Sequence, residues 1–234
     1  MTGSDVCLAI DTSARAGSVA LLTPKGRLLS KALGPDLAHG RELTPTIRQM
    51  LRQEGLDPLD VELLVVGLGP GSYTGVRVAA ATALGFALAS GCRLVGASSF
   101  AAKAFEAGKP GETLFVAGGG RGEMCTYAAF QVNELGVEEI VPHGIATWRE
   151  AAGRLAEGWI VTGEDAPRLV ESSGRELEIR DPSVPRAGPL LELGRILFEQ
   201  RGATPVEGIK PLYLRKSSAE INWQRRQKGH RKGR

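Results

Sequence analysis

Aromatic side chains make up only 5% of this 234-residue chain, and it has just three histidines and three cysteines. So few rings exclude a core built on large aromatics. The 31 glycines and abundant alanines point instead to helices packed closely through small side chains. Cys7, Cys92 and Cys125 are isolated, with no CxxC pair, which excludes a disulfide framework and fits a reducing, cytoplasmic compartment. His39 has Leu43 four residues on, and His143 and His230 stand alone, so no helix-borne metal pair exists and no metal site is expected. The longest apolar run, residues 78–89, is broken by Thr82 and is too short to span a bilayer; no membrane contact is expected. The opening residues carry no basic start and run straight into a strand pattern, so no signal peptide is expected.

The net charge of +3 conceals an asymmetry. Residues 215–234 hold eight Lys/Arg against one Glu, a net of +7, which leaves the remainder at −4. The basic character is therefore a C-terminal tail, expected to be disordered. Apolar content of 42% and charged content of 24% are ordinary for a globular protein, and the length suits one large domain or two lobes.

Along the chain, "VCLAIDTS" reads as a buried strand, and "GSVALLTPKGRLLSKAL" as two more around the Pro24–Gly26 turn. Residues 41–54 place Leu43, Ile47, Met50 and Leu51 at helical spacing. "VELLVVGLG" reads as a strand covered on both faces, and a helix follows it. "CRLVGASSF" is a further strand leading into a third helix. The Gly108–Pro110–Gly111 cluster marks a boundary. Beyond it, "LFVAGGGRGEMCTYAAF" echoes "LAIDTSARAGSVALL", which hints at two lobes on one plan. "WIVTGEDAPRLV" reads as a strand into a helix, and residues 188–201 as a last helix. The class is α/β, with mixed sheets and packed helices. The expected lobes are residues 1–109 and a shortened 110–212, with residues 188–201 able to pack back on the first lobe and a tail from 213 to 234.

Two stretches could hold phosphate. In "AIDTSARAGSV", Asp11, Thr12 and Ser13 close a strand before a turn. This is either a phosphate loop or a plain hairpin whose polar residues cap the turn. In "GPGSYTGVR", Gly69 and Gly71 allow close backbone approach, Ser72 is a helix N-cap, and Arg77 adds charge one turn on. It lacks the lysine of a P-loop and the third glycine of a dinucleotide fold, so a tight strand-to-helix turn is the equal alternative. Residues 76–90 form a helix rich in alanine on every face. Ser98 and Ser99 end a strand outside any G-x-S-x-G elbow, and neither a Ser/His dyad nor a metal pair is visible for a peptidase. In the tail, Trp223 among basic residues could stack a base and meet tRNA phosphates, but a merely solubilising end is the favoured alternative.

"LAIDTSARAGSVALL", "GLGPGSYTGVRVAAATALGFA", "VGASSFAAKA" and the late "KPLYLR" come in the order and about the spacing of the TsaB (YeaZ) family, a resemblance that covers nearly all of the chain to about residue 215. It implies an actin/Hsp70-like two-lobe fold. It further implies a non-catalytic subunit, with no catalytic residue of its own, that pairs with TsaD and is joined by the ATPase TsaE. That complex transfers threonylcarbamoyl from its adenylate to N6 of the adenosine beside the anticodon of tRNA. ATP and metal would belong to the partner subunits, and the chain would form a homodimer when TsaD is absent. The first two helices would make half of a helix bundle, with Leu43, Ile47, Met50, Val76, Ala80, Ala83 and Ala87 as its contacts. Asp11, Thr12, Ser13, Gly69, Gly71, Ser72 and Arg77 would be vestiges of phosphate loops. One departure stands out. Where the family usually reads D-A-R-x-G-E, this chain has Gly118 and Gly120 in "GGGRGE", which removes a carboxylate from the groove between the lobes.

Overall fold

The computed structural model describes residues 5–35, 39–180 and 186–214. The basic stretch 215–234, with Trp223, lies outside the described residues. Two five-stranded mixed sheets lie one behind the other. The first lobe contributes β1 (Val6–Asp11), β2 (Ala16–Leu22), β3 (Leu28–Pro35), β4 (Val61–Gly67) and β5 (Arg93–Ala97), ordered β3-β2-β1-β4-β5. The second contributes β6 (Thr113–Arg121), β7 (Met124–Asn133), β8 (Gly136–Thr147), β9 (Ile160–Thr162) and β10 (Ile179–Arg180), ordered β8-β7-β6-β9-β10. Each lobe is an antiparallel meander extended by two parallel strands, so one actin-like plan is used twice. The second copy is the shortened one, because β9 and β10 are only three and two residues long.

The alternation of side chains along the central strands sets the layers. On β1, Val6, Leu8 and Ile10 face outward with Leu64 and Val66 of β4, while Cys7 and Ala9 face inward with Leu63 and Val65. The outer face is covered by α1 (His39–Gln53) and α2 (Tyr73–Ser90). The inner face is covered by α6 (Ala187–Arg201), and α3 (Ser99–Ala107) fills the space between α6 and Leu114, Val116, Ala128 and Phe130 of the second sheet. Outside that sheet lie α4 (Trp148–Ala152) and α5 (Ala166–Ser173), packed on Phe115 and Tyr127. The inward residues of β1 are small because α6 lies almost flush on the sheet. A Cβ added at Gly194 would collide with the side chain of Val65. The last helix thus belongs to the packing of the first lobe as much as of the second. Among the described residues no helix is long and apolar enough to cross a membrane.

Candidate functional site

The β1–β2 turn and the start of α2 are joined by one side-chain and one backbone hydrogen bond. The Thr12 hydroxyl donates to the Gly75 carbonyl at 2.6 Å, and the Ser72 amide donates to the Ser13 carbonyl at 2.6 Å. Asp11 turns back on its own loop and accepts from the Ser13 amide at 2.8 Å. Ser72 caps α2 by accepting from the Gly75 amide at 3.2 Å. A Cβ at Gly71 would overlap the Ser13 carbonyl, and one at Gly75 the Thr12 carbonyl. The glycines of "GPGSYTG" are therefore a matter of close packing. Gly69 also holds φ +84°, in the left-handed region.

Ser13, Gly71 and Ser72 line one wall of a cavity of about 910 Å³ between the lobes. Asp11, Thr12 and Gly69 lie buried behind that wall. The opposite wall carries Gly119, Gly120, Glu164 and Asp165, and Lys103 and Arg186 complete it. Lys103, only 3% exposed, reaches Glu164 at 2.8 Å, and Arg186 pairs with the same carboxylate. Burial alone would raise the Glu164 pKa, but Lys103 and Arg186 hold it at about 2. Burial pulls the Lys103 ammonium below its usual range, Glu164 opposing this and Arg186 adding to it. Glu164 stands where a side chain at Gly118 would begin, its Oε2 2.8 Å from an added Cβ. A carboxylate is thus present beside Gly118, supplied from the β9–α5 turn. Asp165 accepts from the Gly120 amide at 2.7 Å, and a Cβ at Gly120 would strike Trp148.

Arg77 does not line this cavity, contrary to its expected place in a phosphate loop. Tyr73 and Arg77 are i, i+4 neighbours on the solvent face of α2. The guanidinium lies 4.3 Å from the Tyr73 ring centroid, and its Nε donates to the Tyr213 hydroxyl at 2.7 Å.

The face of α1 and α2 open to a partner is also not the one expected. Leu43, Ile47, Met50, Ala80 and Ala83 are all buried in the first lobe's own outer core, Ala87 is half-buried against it, and Val76 is buried in the first turn of α2. The periodicity that made them conspicuous is the periodicity of the helix face turned to the sheet. The solvent-facing stripe of α2 is Tyr73, Arg77, Ala81, Gly85, Leu88 and Ala89, with Leu88 90% exposed. Beside it α1 presents Thr44, Pro45, Arg48 and Arg52.

Sequence reasoning missed one constellation. Ser98 caps α3, and its Oγ lies 2.8 Å from His143 Nε2, while His143 Nδ1 lies 3.1 Å from Glu139. His143 sits in β8, where two bulges break the period-two alternation that would have revealed a strand. Ser98 Oγ also accepts from the Phe100 and Ala101 amides. Its backbone (φ −68°, ψ 130°) is relaxed, unlike a nucleophile elbow. Burial lowers the His143 pKa, with Glu139 opposing.

The family model described as "TsaD: tRNA N6-adenosine threonylcarbamoyltransferase" matches residues 36–153. The tRNA threonylcarbamoyladenosine biosynthesis protein TsaB of Escherichia coli K12 is 30% identical over 224 residues, which cover 91% of this chain and 95% of that protein. Its counterpart in Bacillus subtilis 168 is 28% identical, over 94% of this chain and 99% of that protein. The solved structure of YeaZ from Pseudomonas aeruginosa superposes with a TM-score of 0.77 at 26% identity, covering 90% of this chain and 100% of that one. With near end-to-end similarity, the same two-lobe architecture and the glycine turn beneath α2, the chain belongs to the TsaB (YeaZ) family.

Proposed function

We propose that the chain is a non-catalytic subunit in the synthesis of threonylcarbamoyladenosine on tRNA. It docks on TsaD through the outer face of α1 and α2. Together with TsaE it supports transfer of threonylcarbamoyl from threonylcarbamoyl-AMP to N6 of the adenosine adjacent to the anticodon, in the cytoplasm. The observation that carries this is the end-to-end similarity to proteins named for that biosynthesis. The exposed stripe of α2 supports the docking. Ala81, Gly85 and Ala89 let a second helix approach closely, and covering Leu88 removes a large apolar side chain from water, a gain of about 1.5–3 kcal/mol. The same stripe serves a homodimer when TsaD is absent.

The chain requires no cofactor of its own, and ATP and metal belong to the partner subunits. This reading is supported by the cleft's hydrogen bonds: the Ser72 and Gly75 amides are engaged within the loop, and two carboxylates, Glu164 and Asp165, occupy the second wall. The test is tRNA modification by purified TsaD and TsaE, with and without this chain. Modification should depend on the chain; equal modification in its absence refutes the role.

A hydrolase is the second reading, and the Ser98–His143–Glu139 geometry favours it. Against it, the Ser98 oxygen already accepts two backbone amides as the cap of α3. A fluorophosphonate probe decides: labelling of Ser98 that His143→Ala abolishes establishes the hydrolase, and no labelling leaves a strut between the lobes.

A further inference from the structure

Glu164 reaches across the interlobe cavity and is gripped by two cations at once. Lys103 on α3 is 3% exposed, and its Nζ lies 2.8 Å from Glu164 Oε2. Arg186 is 13% exposed, and its Nη1 pairs with Glu164 Oε1. The residue after it is seated on the first sheet, the Ala187 amide donating to the Ser18 hydroxyl of β2 at 3.0 Å. One cation is thus carried by the first lobe's chain and the other is anchored at its sheet. The carboxylate comes from the second lobe, on a turn that cannot shift. Gly163, with φ +107°, presses the β9–α5 turn onto β6, where a Cβ would fall 2.1 Å from the Ala117 carbonyl oxygen, and the Asp165 amide donates to that carbonyl at 3.3 Å. Glu164 is the accessible member of the trio, 40% exposed, and all three side chains line the cavity. Arg186 Nε is buried and has no hydrogen-bond partner among the described residues, so the two cations hold more donors than this one carboxylate uses.

We propose that Lys103 and Arg186 form a site for a small oxyanion, phosphate or carboxylate, which the chain fills with its own Glu164, tying the lobes together and keeping free anions out of the cavity. Two buried cations with nothing between them would lose hydration and repel each other, so the site needs an anion. A carboxylate on a fixed turn is an intramolecular ligand with a high effective concentration, and a free anion can enter only by displacing it. Such self-occupation is independent of what the outer helices dock on.

The test is thermal melting of the intact chain in potassium phosphate, acetate and chloride at matched ionic strength. The wild-type protein gives the general effect of each salt on stability. Glu164→Ala should melt lower than wild type in chloride. Beyond the wild-type response, acetate, phosphate or both should raise its melting temperature saturably, by about 3–6 °C at a tenfold excess over the dissociation constant. Adding Lys103→Met to that variant should abolish the extra rise. A carboxylate from β6 should also serve, since a Cβ added at Gly118 lies 2.8 Å from Glu164 Oε2. The double variant Gly118→Asp, Glu164→Ala should therefore regain the melting temperature and lose the response to anions. If Glu164→Ala does not fold in chloride, acetate or phosphate should recover it on refolding. Melting of Glu164→Ala like that of wild type would overturn the proposal. So would a response to acetate and phosphate no larger than that of wild type, or an unfolded variant that neither anion recovers.

Discussion

The Ser72 amide meets the Ser13 carbonyl at 2.6 Å, a direct backbone bond between the start of α2 and the β1–β2 turn. This hydrogen bond sets how deeply α2 sits, and only glycine fits at the two tightest points beside it. Gly75→Ala should destabilise the protein by about 3 kcal/mol or more, since the added methyl falls on the Thr12 carbonyl. Gly85→Ala, in the same helix with open space at its Cβ, should instead stabilise by about 0.5–1 kcal/mol. Urea unfolding of the two variants checks both signs.

Substitutions on the two faces of α2 should separate pairing from folding. Leu88→Glu changes an exposed position, so the melting temperature should hold while co-purification with TsaD is lost. Ala83→Glu puts a charge into a fully buried site and should destabilise by about 3 kcal/mol or more, whatever the partner does. Retained pairing of a folded Leu88→Glu variant would move the docking surface elsewhere.

His143 should make stability depend on pH. Burial holds its pKa below the ordinary 6.5, so the unfolded chain takes up the proton first. The stabilising contribution is complete above about pH 6.5 and is lost as the pH falls through the lower folded value. His143→Gln should flatten that part of a stability profile measured by denaturant unfolding. Ser98→Ala removes both the α3 cap and the histidine's partner, and should lower stability by about 1–2 kcal/mol at neutral pH.

Most of the architecture was legible in the residues because its elements are locally periodic. The apolar run 63–67 lies in a central strand, and the 3.6-residue spacing of Leu43, Ile47 and Met50 is a helix on the sheet. That spacing also misled. A periodic apolar face marks what a helix buries in its own fold, whereas the exposed stripe of α2, with Ala81, Gly85, Leu88 and Ala89, carries little hydrophobic signal. β8 was missed because Pro142 and Gly144 flank a bulge, and its glutamates face solvent. The Glu164 carboxylate beside Gly118 was not legible at all, since the two are 46 positions apart and meet only when β6 and β9 pair.

The placement of α6 has a consequence for synthesis. Its Leu190, Leu191 and Leu193 cover the inner side of a sheet whose five strands are complete by residue 97, so a nascent first lobe keeps one apolar side bare until some hundred further residues have emerged. The two halves then become native together. A fragment ending near residue 109 should clump on the ribosome rather than wait there folded, despite holding every strand of its sheet.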